Sequence, residues 1–257
     1  MKHITSRDNP EFKALLKLAG DAREIRKQTR TLIDGPHLVA TYRQQIGLPE
    51  TLLVSESGNN HVEIKALIDA HSGINVLLFK DALFKRLSGV DSPVGIASVI
   101  RVPDAAQPFT GGSCVLLDAI QDAGNVGSIL RSSAAVGISD IFLGRGCAYA
   151  WSPRVLRAAQ GAHFRLRIRE PANLVQLLDR YEGQSIATVV TGGASLFRAP
   201  LSGNIAWIFG SEGQGVRPEL LSMVNHKITI PMAAETESLN VAAAAAICLF
   251  AAAKHIQ

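Results

Sequence analysis

Short apolar and β-branched runs alternate with helix-period patterns along most of this chain, and that alternation restricts it to a layered α/β architecture. From Thr31 onward, residues 52–55, 74–79 and 95–102 read as strands, and 61–71 and 81–87 read as helices between them. The rhythm breaks at Pro103, where two prolines and the Gly111-Gly112 pair interrupt an otherwise apolar chain. It then restarts, with strands at 114–117, 140–143, 164–168, 186–190, 205–209 and 227–230. Helices are expected at 126–136, 153–160, 173–181 and 218–224, with a last one from about Leu239. The division this implies is a first domain over 1–103, a linker over 104–112 and a second domain over 113–257. Because the later strands are separated by helices, the second domain is expected to hold a parallel sheet.

With 257 residues and 47% hydrophobic content, both parts have enough apolar material for a buried core. The three cysteines are scattered, with no CxxC pair and no Cys/His cluster, so a disulfide framework or a metal site is not expected and a reduced, cytoplasmic setting is. Met1 to Arg7 lacks the apolar core of a signal sequence, and 241–253 is too short to span a bilayer, so no membrane role is expected. That last run is apolar on every side, which implies burial all round, within the domain or against a second copy. The net charge is +4, and residues 1–30 hold eight Lys/Arg against four Asp/Glu, so a basic N-terminal arm carries the whole excess.

Three polar loops follow apolar runs. In Leu117 to Arg131, a Gly-containing loop leads into a helix with Asn125 as the expected N-cap and Gly127 as a packing glycine. Gly210-Ser211-Glu212-Gly213-Gln214-Gly215 follows a buried strand, and its glycines let backbone approach a ligand. Its spacing is GxxGxG and it sits late in the sheet, which disfavours a nicotinamide or flavin enzyme. The third loop runs from Ile230-Pro231-Met232 to Ser238-Leu239-Asn240, with Ser238 or Asn240 as the cap of the last helix.

The ordered set Asn125-x-Gly127-x-x-x-Arg131, Gly210-Ser211-Glu212-Gly213-x-Gly215, Ile230-Pro231-Met232 and Ser238-Leu239-Asn240-Val241 resembles the SpoU (TrmH-like) branch of the SPOUT RNA methyltransferases. The resemblance spans about residue 113 to the end. The N-terminal part, through Ile4 to Pro10 and Ile33 to Val39, is similar to the small α/β, ribosomal-protein-like substrate-binding domain of those proteins. One departure is Ala123, where a proline is usual; it should loosen the loop slightly. The resemblance implies a SPOUT domain with a deep trefoil knot, a homodimer, and transfer of a methyl group from S-adenosylmethionine to a ribose 2'-hydroxyl of ribosomal or transfer RNA.

It also implies roles. Backbone groups at Gly210, Ile230 and Leu239 would hold the cofactor's adenosine, with Met232 as an apolar wall. Arg131 would act at the acceptor, with Asn125, Glu212, Ser238 and Asn240 orienting it and the ribose. A guanidinium stays protonated and has no acceptor lone pair, so holding a phosphate and stabilising the forming alkoxide suits Arg131 better than acting as a base. Two basic surfaces could meet RNA. One carries Arg7, Lys13, Lys17, Arg26, Lys27 and Arg30, beside Lys2 and Arg23. The other carries Arg145, Arg154 and Arg157, with Arg165, Arg167 and Arg169 and with Tyr149 and Trp151 for stacking. Two rival readings remain open at this point: an RNA-binding or ribosome-assembly protein without turnover, and a SPOUT enzyme that methylates a base.

Overall fold

The basic N-terminal stretch is not a free arm, because Asn9 starts a helix there: its side chain accepts hydrogen bonds from the backbone N–H of Glu11 (2.9 Å) and Phe12 (3.3 Å), with Pro10 in the first turn. A computed structural model describes residues 1–104 and 107–253; Ala105 and Ala106 of the expected linker lie outside the described residues. The chain divides into two units.

The first unit comprises Met1–Asp104 and Trp151–Phe164. Its elements are β1 (Lys2–Ile4), α1 (Pro10–Gly20), α2 (Ala22–Gln28), β2 (Arg30–Asp34), α3 (Pro36–Gln45), β3 (Thr51–Ser55), α4 (Val62–Ala70), β4 (Asn75–Phe79), α5 (Asp81–Ser88) and β5 (Ile96–Arg101). The strands form a mixed sheet in the order β1-β4-β3-β5-β2, with β5 antiparallel to both neighbours and the other pairs parallel. Apolar side chains of α1 and α2, among them Phe12, Leu15, Leu18 and Ile25, are buried, which fixes the basic stretch in the fold.

The second unit carries β6 (Cys114–Asp118), α6 (Ala123–Ala135) and β7 (Asp140–Leu143). After α7 (Pro153–Ala159) come β8 (Arg167–Arg169), α8 (Leu174–Asp179), β9 (Gln184–Thr188), β10 (Ala194–Ser195), β11 (Ile205–Gly210), α9 (Pro218–Leu221), β12 (His226–Thr229) and α10 (Val241–Ala252). Among the described residues its strands make a seven-stranded sheet, β10-β12-β9-β11-β6-β7-β8, in which every pairing is parallel. The central strands β6 and β11 are buried at every position. On one face, Leu174, Leu178 and Leu220 of α8 and α9 pack on Leu116, Phe142 and Ile208. Elsewhere α6 and α10 pack together, and Val126 and Ile129 of one and Ala245 and Leu249 of the other are buried.

The helix α7 and its flanks, Trp151–Phe164, cluster with the first unit although they lie between two strands of the second. Thr31 Oγ1 donates to the Trp151 carbonyl (2.7 Å), Arg157 reaches Asp34 (3.2 Å) and the Ser88 carbonyl (2.6 Å), and Phe164 meets Tyr42 edge to face at 5.3 Å. Trp151 is 6% exposed and packs on His163, so it is not available to stack on a base. The strand expected at 164–168 is shorter and later, because Ala162–Arg165 forms a tight helical turn first.

Arg167 and Arg169 likewise have structural work. Both donate to the nearly buried Asp140 at 2.9 Å, and Arg169 lies over the Phe142 ring at 5.1 Å. Burial pushes the Asp140 carboxyl up, and the hydrogen bonds and charges of the two arginines more than reverse that, holding it below its ordinary value. A depressed carboxyl stabilises the fold above its unfolded value, roughly pH 4, and loses that contribution as pH falls through the lower folded value. Asp140→Asn should therefore cost about 2 kcal/mol at neutral pH, with the gap to wild type closing in acid, as read by urea unfolding at pH 7 and pH 3.

Candidate functional site

In an all-parallel sheet the carboxyl ends of the strands share one edge, and the loops that leave them meet there. Here the ends of β9, β11 and β12 release residues 189–193, 211–217 and 230–240, and with the start of α10 they enclose a cavity of about 380 Å³. That is within the roughly 300–1,000 Å³ of small-molecule sites. Gly210, Glu212, Ile230, Met232, Ser238 and Leu239, all expected site residues, line it. Thr188 to Thr191, the rest of the glycine-rich loop through Val216, Leu221, Val241 and Ala244 complete its wall.

The first polar loop reaches this group through a side chain freed from capping. Asp122, not Asn125, caps α6: its carboxylate accepts from the Asn125 backbone N–H at 2.7 Å. Asn125 is thus in the first helical turn, and its amide is left to bridge. Its Nδ2 donates to Glu212, and its Oδ1 accepts from Asn240 Nδ2 at 2.9 Å. Asn240, the actual cap of α10, accepts from the backbone N–H of Ala242 (2.9 Å) and Ala243 (3.3 Å). Helix cap, two amides and one carboxylate form a continuous chain across residues distant in sequence.

The glycine-rich loop closes on itself. Ser211 and Gly215 exchange two backbone hydrogen bonds, 2.8 and 3.2 Å long, and Gly215 adopts φ +67°. A side chain at Gly210 would run into the backbone of Gly215 and Val216, so that glycine is required by the fold as well as by any ligand. Where the loop exits, Arg217 is clamped to the fully buried Asp118 at the end of β6: its backbone N–H and its Nε donate to the two carboxylate oxygens at 2.9 and 2.7 Å.

Arg131 is not drawn into this group. It is exposed, its side chain makes no hydrogen bond or ion pair with another described residue, and it lies about 9 Å along α6 from Asn125 at 1.5 Å per residue. Of the basic residues expected to meet RNA, Lys13 pairs with Asp8 (3.0 Å), Arg30 with Glu50 (2.7 Å) and Arg157 with Asp34. Arg26 also has a partner. Arg7, Lys17, Lys27, Arg145 and Arg154 are without an ion-pair partner among the described residues. Sequence reading missed the β9 loop, Asp118 and Arg217. The loop carried a signal in Thr191-Gly192-Gly193 after an apolar strand; the Asp118–Arg217 pair carried none, since the two are far apart in the chain. No group of His, Cys, Asp and Glu among the described residues could hold a metal ion, and no described helix is long and apolar enough to cross a membrane.

A family model described as the SpoU rRNA Methylase family matches residues 112–250, more than half of the chain. The chain belongs to the SpoU rRNA methylase family. It is 32% identical over 254 residues to the 23S rRNA (guanosine(2553)-2'-O)-methyltransferase RlmP of Bacillus subtilis, across 97% of this chain and 98% of that protein. Among solved structures it is similar to an rRNA methyltransferase from Sinorhizobium meliloti, with a TM-score of 0.84 and 25% identity over 100% of this chain and 98% of that one. It is also similar to an RNA 2'-O ribose methyltransferase, with a TM-score of 0.82 and 27% identity over 97% of both chains. For this SpoU chain the departure at Ala123 has a simple place: it is the first residue of α6, a position where proline's fixed φ and missing N–H are tolerated. Ala123→Pro should raise stability by about 0.5 kcal/mol, through a less flexible unfolded chain, in equilibrium denaturation.

Proposed function

We propose that this chain is an S-adenosylmethionine-dependent methyltransferase acting on a ribose 2'-hydroxyl of ribosomal RNA. The observation that carries the reading is the cavity at the ends of β9, β11 and β12, which gathers Gly210, Glu212, Ile230, Met232, Ser238 and Leu239 in a SpoU-family chain. Its relative in Bacillus subtilis, similar along almost the whole of both chains, is named for that reaction on a guanosine of 23S rRNA. The lining fits such a cofactor: apolar side chains of Ile230, Met232 and Leu239 suit an adenine, and glycine backbone suits close polar contact.

When bound, the cofactor supplies an electrophilic methyl group on a sulfonium. The chain supplies the rest. Gly210, Ile230 and Leu239 would hold the adenosine through backbone groups, and the linked Asn125, Glu212 and Asn240, with Ser238, would orient the ribose. Arg131, uncommitted to any other described residue, would grip a phosphate beside the target and stabilise charge on the 2'-oxygen as its proton leaves to phosphate or water. The first unit would bind the RNA substrate with Arg7, Lys17, Lys27 and Arg154, Arg145 of the second unit would meet RNA phosphates as well, and the enzyme would work in the cytoplasm. The reading includes the trefoil knot at the segments around the cavity. It also includes a homodimer, which is supported by α10, whose Ile247 and Phe250 are 37% and 55% exposed although the helix is apolar on every side.

Mapping of 2'-O-methyl groups in total RNA from cells with and without this protein tests the function: loss of one ribosomal site supports it, and an unchanged map refutes it. Arg131→Lys should lower methyl transfer about 100-fold with little change in S-adenosylhomocysteine affinity, since a point charge cannot reproduce the guanidinium fork. Phe250→Glu should convert the protein to a monomer in analytical ultracentrifugation; a dimer that persists in this variant would remove α10 from the interface.

A further inference from the structure

Two contacts far apart in sequence close a ring at the site. From Asp118 the chain runs through 119–124 to Asn125; Asn125 donates to Glu212; from Glu212 it runs through 213–216 to Arg217; and Arg217 returns to Asp118 through its backbone N–H and its Nε. The ring's covalent arcs are stiff. The first turns sharply at Ala119 (φ +57°) and is pinned from outside, where Ala148 donates to the Ile120 carbonyl at 2.8 Å. The second is the self-closed glycine loop. Beyond the β6–β11 pairing, which ends at Asp118 and Gly210, the spacing of the two arcs is set by the pair of side-chain closures. One is exposed, the Asn125–Glu212 hydrogen bond, and such bonds contribute little in water. The other holds a carboxylate with no exposed surface and fixes both the main chain and the side chain of residue 217.

We infer that Asp118 and Arg217 are positioning residues for methyl transfer: by clamping the exit of the glycine loop to the end of β6, they hold Glu212 at the height where it meets Asn125. This rests on the methyltransferase reading above. Neither residue lines the cavity, so neither is placed to hold a cofactor bound there. Gly210 stays in place without the clamp, because it belongs to β11 and is in register with Asp118 through the sheet. Loss of the clamp should thus leave the cofactor's grip nearly intact and misplace the tip of the loop, and misplacement by about 1 Å can cost about 100-fold in rate.

The experiment uses the full chain with Arg217→Gln, Arg217→Lys and the neutral double variant Asp118→Asn/Arg217→Gln, which leaves no buried charge unpaired and so guards against simple misfolding. Three readouts are taken: kcat and KM, S-adenosylhomocysteine affinity by calorimetry, and amide hydrogen exchange of Glu212 to Gly215 in the free protein. Expected results are a kcat lowered about 30-fold in Arg217→Gln and in the double variant, partial recovery in Arg217→Lys, KM and cofactor affinity within about 3-fold of wild type, and faster exchange in the loop. A folded double variant with wild-type kcat, or with unchanged loop exchange, overturns the proposal. So does a double variant that cannot fold, which would make the pair structural only. Absence of S-adenosylhomocysteine binding in the wild type would instead sink the functional reading, and the exchange measurement, which needs no cofactor, tells the two failures apart.

Discussion

Parallel strand pairing is the constraint from which the site follows. Among the described residues seven strands point the same way, and the connection after each must start at its carboxyl end and cross back to the opposite edge, so the loops that begin those connections gather along one edge. Burial of β6 and β11 at every position leaves them no solvent face, and polar chemistry can begin only where they end. It begins at Asp118 and Ser211. The same geometry explains why cavity-lining residues are drawn from positions as distant as 188 and 230: they follow strands that are adjacent in the sheet.

How much of this could be read from the chain depends on whether the signal was local. Strands such as Asp140–Leu143 and Ile205–Gly210 were legible because a short apolar run between turn signals has few other uses. The loops at 210–215 and 230–240 were legible because glycine and small polar residues after buried strands mark places where backbone is exposed. The cap of α6 was misplaced by three residues: Asp122 and Asn125 are both good caps, and only the fold shows that Asn125 has partners at positions 212 and 240. The helices α1 and α2 were obscured by their own charge. Their eight basic and four acidic neighbours suggested an arm, yet the apolar positions at 12, 15, 18 and 25 were enough to bury them.

Charge counting overstated the surface available to nucleic acid. Of the basic residues between 145 and 169, Arg157, Arg167 and Arg169 neutralise Asp34 or Asp140, acids that lie outside that window and so did not enter a local count. Both acids are well shielded, and an unpaired carboxylate there would be expensive, so these arginines are held where they are by the fold's own electrostatics. What is left is a smaller set, Arg7, Lys17, Lys27, Arg145 and Arg154, which have no ion-pair partner among the described residues.

The polar chain at the site is built from amides, and the reason lies in direction. Asn240 must accept from the first N–H groups of α10, which uses its oxygen and turns its Nδ2 toward Asn125. Asn125 must then present its oxygen to that donor, which turns its own Nδ2 toward Glu212. Each amide has one orientation that satisfies both sides, so the positive end of α10 is relayed through two neutral side chains to a carboxylate. An aspartate at 240 would keep the cap and lose the donor to Asn125; an aspartate at 125 would face Glu212 with like charge. A neutral group that donates on one side and accepts on the other satisfies both links. Asparagine does so with few rotatable bonds, so the link to Glu212 forms at small entropic cost.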